Sequence, residues 1–323
     1  TAGGVSPPLA VIGAGAWGIA LALQAARTGR EVILWSRRPQ ERQADGSLRR
    51  LPGVALPPSV RITDRLAEPA ELTLLAVPMQ HLREVAGGLA LAGPLVACCK
   101  GLERQTRMLP LELLAGLHPS LPRAVLSGPN FAGEVARLLP AASVVAADEI
   151  GLARDLAARL GSENFRLYAS ADPVGVQLGG AAKNVIAIAA GAAIGAALGE
   201  NARASLITRG VAELSRLIVA AGGRSETASG LSGVGDLVLT CTGSASRNYS
   251  LGLALGRGER LADILAARST VAEGVETAPA LAARAAELGA SVPIIETVSA
   301  LLAGRLDFAE ARSRLLRRPA GVE

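Results

Sequence analysis

One stretch constrains the fold of this chain more than any other: residues 9–36, LAVIGAGAWGIALALQAARTGREVILWS. A short apolar run leads into Gly13, Gly15 and Gly18, a helical pattern follows, and a second apolar run ends near Ser36. Each glycine has its own steric task. Gly13 permits a tight turn, Gly15 lets a pyrophosphate approach the backbone, and Gly18 lets helix and strand pack closely. The helix that starts there aims free N–H groups and the positive end of its dipole at a diphosphate. Glycines so spaced also serve plain turns, but the complete strand–turn–helix–strand setting makes a dinucleotide the expected ligand.

The same alternation recurs through the first half. LTLLAVP (72–78), LVACCK (95–100), AVLSGP (124–129) and ASVVAA (142–147) read as further strands, with 16–29, 81–91 and 149–161 as helices. Most of these runs are continuously apolar, which fits a parallel sheet covered on both faces. After about residue 171 the strand signals fade. Ala/Leu-rich helical stretches then occupy 172–198, 202–221, 248–256, 261–266, 277–288 and 295–303, with loops at 222–236 and 242–247. The expected fold class is α/β, a Rossmann-type doubly wound sheet, followed by an all-α domain. The expected division is a leader at 1–8, an NAD(P)-binding domain at 9–171 and a helical substrate domain at 172–323. The leader has neither a basic start nor a cleavage pattern, so it does not read as a signal peptide. NVIAIAAGAAIGAAL (184–198) is shorter than a bilayer requires and reads as a buried helix, so no stable membrane insertion is expected.

Half the residues are hydrophobic, but only three Phe, two Trp and two Tyr are aromatic, so the cores must be built from Ala, Val, Leu and Ile. Dispersed arginines and so few aromatics argue against nucleic acid as a partner. A formal net charge of +5 suits an anionic small molecule. Cys98, Cys99 and Cys241 lack metal-ligand spacing, and His81 and His118 are the only histidines, so no metal site is expected. The same cysteine pattern suggests a reducing, cytoplasmic compartment. Cofactor choice is read at the end of the second strand. An NAD site would place Asp or Glu there, whereas this chain has Arg37 and Arg38, whose guanidiniums can pair with a 2′-phosphate. NADPH/NADP is therefore the preferred cofactor, with NAD use left open; two ordinary surface arginines would read the same way.

Of 33 Lys and Arg residues, only Lys100 and Lys183 are lysines. A nicotinamide enzyme that reduces a carbonyl needs a proton donor beside the developing alkoxide. Arginine does not deprotonate in a protein, whereas a partly desolvated lysine can work near neutral pH. His81, at a strand end, and His118, in a Pro-flanked loop, are poorly placed. Lys183 reads as opening an apolar helix, and Lys100 as ending a strand at the carboxyl edge where doubly wound folds bind ligands. Incidental surface lysines are the alternative, though chance would put them on polar faces more often. GSASRNYS (243–250) offers hydroxyls, an amide and Arg247 before a helix: chemistry suited to a phosphate, or a plain polar cap. Asp236 is either an N-cap or a carboxylate that orients the lysine or a substrate hydroxyl.

Together these segments resemble the bacterial NAD(P)-dependent glycerol-3-phosphate dehydrogenases. The motifs run in order: GAGAWG (13–18), CKGLE (99–103), SGPNFAGEV (127–135), AAKNVIAIAAG (181–191), SGVGDLVLTC (232–241), SRN (246–248) and VAEGVET (271–277). The resemblance implies a 6-phosphogluconate-dehydrogenase-like pairing of sheet and helical domains. It also implies reversible NAD(P)H-dependent reduction of dihydroxyacetone phosphate to sn-glycerol 3-phosphate, feeding glycerophospholipid synthesis. Lys183 would be the general acid/base at the C2 oxygen, with Lys100 beside it touching substrate and cofactor. Gly128, Asn130 and Asp236 would border the substrate, and Ser246, Arg247 and Asn248 would hold its phosphate. Gly13, Gly15, Ala16, Trp17, Gly18, Arg37, Arg38, Ala132, Arg247, Val271 and Glu273 would hold NADPH. Asn130 stands where the family commonly has Ser or Thr, and VAEG at 271–274 replaces the commoner VVEG. A homodimer is compatible with the resemblance. Two rivals share the architecture. A two-domain NADPH-dependent keto-acid reductase or hydroxyacid dehydrogenase would need a carboxylate clamp in place of the Ser-Arg-Asn loop, and a non-catalytic NADPH-binding sensor would bind cofactor without turnover.

Overall fold

A computed structural model describes residues 7–316 except Pro39, Ala67 and 269–271. The chain divides into two compact units, 1–100 with 110–173, and 101–109 with 174–323.

The first unit is built on one eight-stranded sheet in the order β3-β2-β1-β4-β5-β6-β7-β8. Its strands are β1 (Leu9–Ile12), β2 (Val32–Trp35), β3 (Val60–Thr63), β4 (Leu72–Leu75), β5 (Leu95–Ala97), β6 (Arg123–Ser127), β7 (Ala141–Ala146) and β8 (Phe165–Ser170). All pairs from β3 across to β6 are parallel, β6 and β7 are antiparallel, and β7 and β8 are parallel again. The order 3-2-1-4-5-6 reverses between β1 and β4, the switch point beside which doubly wound sheets bind nucleotides. Along β1, Leu9 and Val11 join one apolar cluster while Ala10 and Ile12 join another. Both faces of the strand are thus covered, which is why it reads as an unbroken apolar run.

β3 and β8 were not expected from the sequence. They are the two edges of the sheet. Only Val60 and Phe165 are fully buried in them and Arg61, Arg166 and Tyr168 are exposed, so neither presents the continuous run of the central strands. The helices of this unit are α1 (Ala16–Arg27), α2 (Leu82–Gly87), α3 (Pro110–Leu117), α4 (Ala132–Ala136) and α5 (Ile150–Leu160). α3 and α4 escape the sequence reading because each is short. The 81–91 expectation shrinks to a 3-10 turn at Met79–His81 and the six residues of α2.

The second unit is helical: α6 (Pro173–Gly195), α7 (Gly199–Ala220), α8 (Asp236–Thr242), α9 (Arg247–Gly256), α10 (Leu261–Ala266), α11 (Glu273–Glu287), α12 (Pro293–Leu302) and α13 (Phe308–Leu316). α6 is buried as expected and fills most of 172–198, but it corrects the short length read for its apolar run and the place of Lys183 in it. At 23 residues it is long and apolar enough to cross a membrane, but 89% of its most apolar window is buried inside the protein. Lys183 therefore lies in the middle of this helix, not at its start. α6 and α9 meet through glycines on both sides. A Cβ on Gly191 or Gly195 would lie 2.0 Å from the Tyr249 carbonyl oxygen or 2.1 Å from that of Leu253. On Gly252 or Gly256 it would lie 2.0 Å from the Ile188 oxygen or 2.1 Å from that of Ala192. Backbones this close admit no side chain at the crossing.

The segment 101–109 leaves the sheet unit and packs with the helices. Leu102 and Leu109 sit in their core, while Arg104 pairs with Glu276 and Arg107 with Glu287 on α11. Glu213 of α7 is 1% exposed, and its carboxylate accepts from the N–H groups of Ile294 (2.7 Å) and Ile295 (3.3 Å). Those are orphan donors at the start of α12, so the buried charge is matched by a helix terminus.

Candidate active site

In the sheet unit the expected ligand residues gather at one edge. β1, β2, β5 and β6 are parallel. The segments that follow them, Gly13–Gly18, Arg37–Arg38, Lys100 and Gly128–Ala132, therefore leave the sheet at its carboxyl edge. The three fingerprint glycines divide their tasks measurably. Gly13 has φ +113, and a Cβ there would meet the Ala76 oxygen at 2.8 Å. One on Gly18 would meet the Gly13 oxygen at 1.8 Å. One on Gly15 meets nothing within 4 Å and would fill open space at the start of α1. No side chain caps that helix, and no acidic residue lies in its first turn. The N-terminal turn of α1, with Ala16 and Trp17, thus offers a bare backbone cradle that fits a dinucleotide pyrophosphate.

Arg37 and Arg38 are both exposed where β2 ends. Arg37 lies 3.6 Å from Glu84 in an ion pair whose side chains are 59% and 67% exposed. A solvated pair of this kind contributes at most about 1 kcal/mol, so a phosphate can displace it. Arg38 has no ion pair or side-chain hydrogen bond among the described residues.

Lys100 donates from Nζ to the Gly128 carbonyl at 3.0 Å. A Cβ on Gly128 would stand 2.6 Å from Ser143 Oγ and 2.8 Å from Ser143 Cα, so that loop must carry glycine. Asn130 donates from Nδ2 to Ser143 Oγ. Asn130 Oδ1 and Ser127 Oγ are buried without a partner among the described residues. A buried orphan of this kind costs about 1–3 kcal/mol, which a bound polar ligand would offset. Ala132 opens α4 just beyond.

In the helical unit, Lys183 is 8% and Asp236 0% exposed. Lys183 Nζ lies 2.6 Å from Asp236 Oδ1 and 3.1 Å from Thr240 Oγ1. Thr240 Oγ1 donates a hydrogen bond to the Asp236 carbonyl at 2.6 Å, so its lone pairs are left to accept from the ammonium. An ammonium has three N–H donors. Two are engaged here, and the third has no partner among the described residues. Asp236 is the first residue of α8 behind Gly235 as N-cap. Its carboxylate is paired with the Lys183 ammonium.

Ser246 is the N-cap of α9, accepting from the Tyr249 N–H at 3.2 Å. Asn248 donates to Asn184 Oδ1 (2.8 Å) and accepts from the Gly274 N–H (2.9 Å). Asn184 reaches Glu273 at 3.5 Å. Between them the exposed Arg247 guanidinium has no partner among the described residues. Val271 lies outside the described residues.

Two family models match the chain: the NAD-dependent glycerol-3-phosphate dehydrogenase N-terminus over residues 8–153 and the C-terminus over 172–313. A glycerol-3-phosphate dehydrogenase, NAD(P)+, of Gluconobacter oxydans (strain 621H) is 56% identical over 97% of this chain and 98% of its own. That of Acidiphilium cryptum (strain JF-5) is 55% identical over 97% of each. The crystal structure of the Coxiella burnetii enzyme is 38% identical, covers 97% of this chain and 100% of its own, and superposes with a TM-score of 0.90. The chain belongs to the NAD-dependent glycerol-3-phosphate dehydrogenase family.

As a dehydrogenase of this family, the chain carries polar partners that its sequence did not single out. Thr240 lies four residues after Asp236, on the same helical face, and reading 236–242 as a helix would have found it. Asn184 adjoins Lys183, but an amide in an apolar helix carries no signal until its partners on α9 and α11 are known. Beside this cluster lies Cys241, 0% exposed. Burial pushes its thiol up to about 12; Lys183 and Arg203 pull it down and Asp236 pushes it further up. The group is a neutral, inert thiol at physiological pH.

Proposed function

We propose that this chain reduces dihydroxyacetone phosphate to sn-glycerol 3-phosphate, reversibly, with Lys183 as the proton donor to the C2 oxygen. The observation that carries the assignment is the third N–H of the Lys183 ammonium, left over when Asp236 and Thr240 hold the other two. Asp236 fixes the ammonium's direction and balances its charge in a buried setting. The remaining donor is free to stabilise a developing alkoxide and pass it a proton.

NAD(P) supplies the hydride when bound, as the family's chemistry requires. Gly13, Gly15, Ala16, Trp17 and Gly18 would take its pyrophosphate, and Arg37 and Arg38 favour the 2′-phosphate of NADPH over NADH. Ala132, Val271 and Glu273 are assigned to the same cofactor, and Lys100 to both ligands. Gly128 and Asn130 would border the substrate. Ser246, Arg247 and Asn248 would hold its phosphate, whose remote binding energy positions C2. The product would feed glycerophospholipid synthesis. A cytoplasmic location is supported by three free, buried cysteines, and a homodimer is part of the proposal that sedimentation tests.

Substituting Lys183→Arg keeps the charge but removes a group able to release a proton. Turnover should fall by at least about 10²–10⁴-fold, the usual contribution of a positioned acid. NADPH binding, read by fluorescence titration, should persist. Appreciable residual turnover would remove Lys183 from the chemistry.

A further inference from the structure

We infer that Arg268 is a positioning residue for substrate phosphate, acting through the backbone of Arg247. Its guanidinium donates from Nη1 to the Arg247 carbonyl at 2.8 Å and from Nη2 to Ser250 Oγ at 3.1 Å. Ser250 Oγ in turn donates to the same Arg247 carbonyl at 3.1 Å, and the Ser250 N–H bonds the Ser246 oxygen at 2.9 Å. The first turn of α9 is thereby bracketed from outside by Arg268. From inside, Asn248 is tied to Asn184 and Gly274. The result is a rigid backbone at Arg247 beneath a guanidinium with no partner among the described residues.

A fork-shaped guanidinium can hold two acceptors of one turn in fixed relation; lysine, with a single point charge, cannot. The arrangement also brings a second cation to a turn that has no acidic residue of its own. That is unfavourable for a bare helix start. A phosphate beside Arg247 would relieve it. Arg268 therefore matters for phosphorylated substrates and not for the reacting carbonyl. The inference rests on Arg247 being the phosphate ligand.

The test uses the full chain with two substrates, dihydroxyacetone phosphate and unphosphorylated dihydroxyacetone, in the wild type, Arg268→Met, Arg268→Lys and Arg247→Ala. Arg268→Met should raise KM for dihydroxyacetone phosphate about tenfold, equivalent to about 1.4 kcal/mol. Its kcat should be nearly retained, and kcat/KM for dihydroxyacetone should not change. Arg268→Lys should recover only part of the loss. An equal loss on both substrates would make Arg268 merely structural and overturn the inference. If Arg247→Ala raises the phosphate-dependent KM and Arg268→Met does not, the role of Arg268 alone falls. If neither variant raises it, the phosphate assignment of Arg247 falls with it.

Discussion

Lys183 illustrates what one residue can and cannot reveal in a sequence. Its rarity in an arginine-rich chain marks it out, but its partners come from α8, more than fifty positions away. Removing a partner of a buried ion pair leaves an uncompensated charge. Asp236→Asn should therefore destabilise the helical unit by about 3–5 kcal/mol and lower kcat sharply, read by urea unfolding and by turnover. Thr240→Val, isosteric but unable to accept from Nζ, should lower stability by only about 1 kcal/mol. A larger effect of Thr240→Val than of Asp236→Asn would contradict the geometry. Cys241, whose thiol stays protonated well above its ordinary value of 9.0 because it is buried, should resist iodoacetamide at about pH 8 in the native protein and react once unfolded.

At the scale of elements, the glycine-rich turn was legible because its sterics are local, and the structure assigns each glycine a different liability. Gly15→Ala should leave the melting temperature within about 2 °C, since its Cβ meets only open space and its φ of −74° suits alanine. It should weaken NADPH binding all the same. Gly18→Ala should instead destabilise the sheet unit by about 1–3 kcal/mol or more, because its Cβ collides with the Gly13 carbonyl. If both variants bound and melted alike, the division of labour in the turn would be wrong. The α6–α9 crossing was not legible. Gly191, Gly195, Gly252 and Gly256 lie in two separate helical patterns, and nothing in either names its partner. The edge strands β3 and β8 were missed for a different reason: their outward faces carry Arg61, Arg166 and Tyr168, which break the apolar runs.

At the scale of the molecule, the central strands and α6 were readable because burial on all sides leaves a continuous apolar signature. α6 carries that logic furthest. Its 23 residues satisfy the length of a membrane span, yet the surrounding helices bury it. Cofactor preference is also a whole-chain property, because ligand binding raises stability in proportion to its logarithmic excess over Kd. NADPH at about a hundredfold over its Kd should add about 2.7 kcal/mol of stability, and NADH at the same concentration should add less. Changing Arg37 and Arg38 together to Ser should weaken NADPH at least about tenfold while sparing NADH, as expected for losing charged hydrogen bonds to a phosphate. The most direct test of the account is NADPH oxidation by dihydroxyacetone phosphate in the wild type and in Lys183→Arg. The expected result is turnover by the wild type and a rate at least about 10²-fold lower in the variant, with NADPH bound equally by both. Turnover by Lys183→Arg at a rate near the wild type would contradict it.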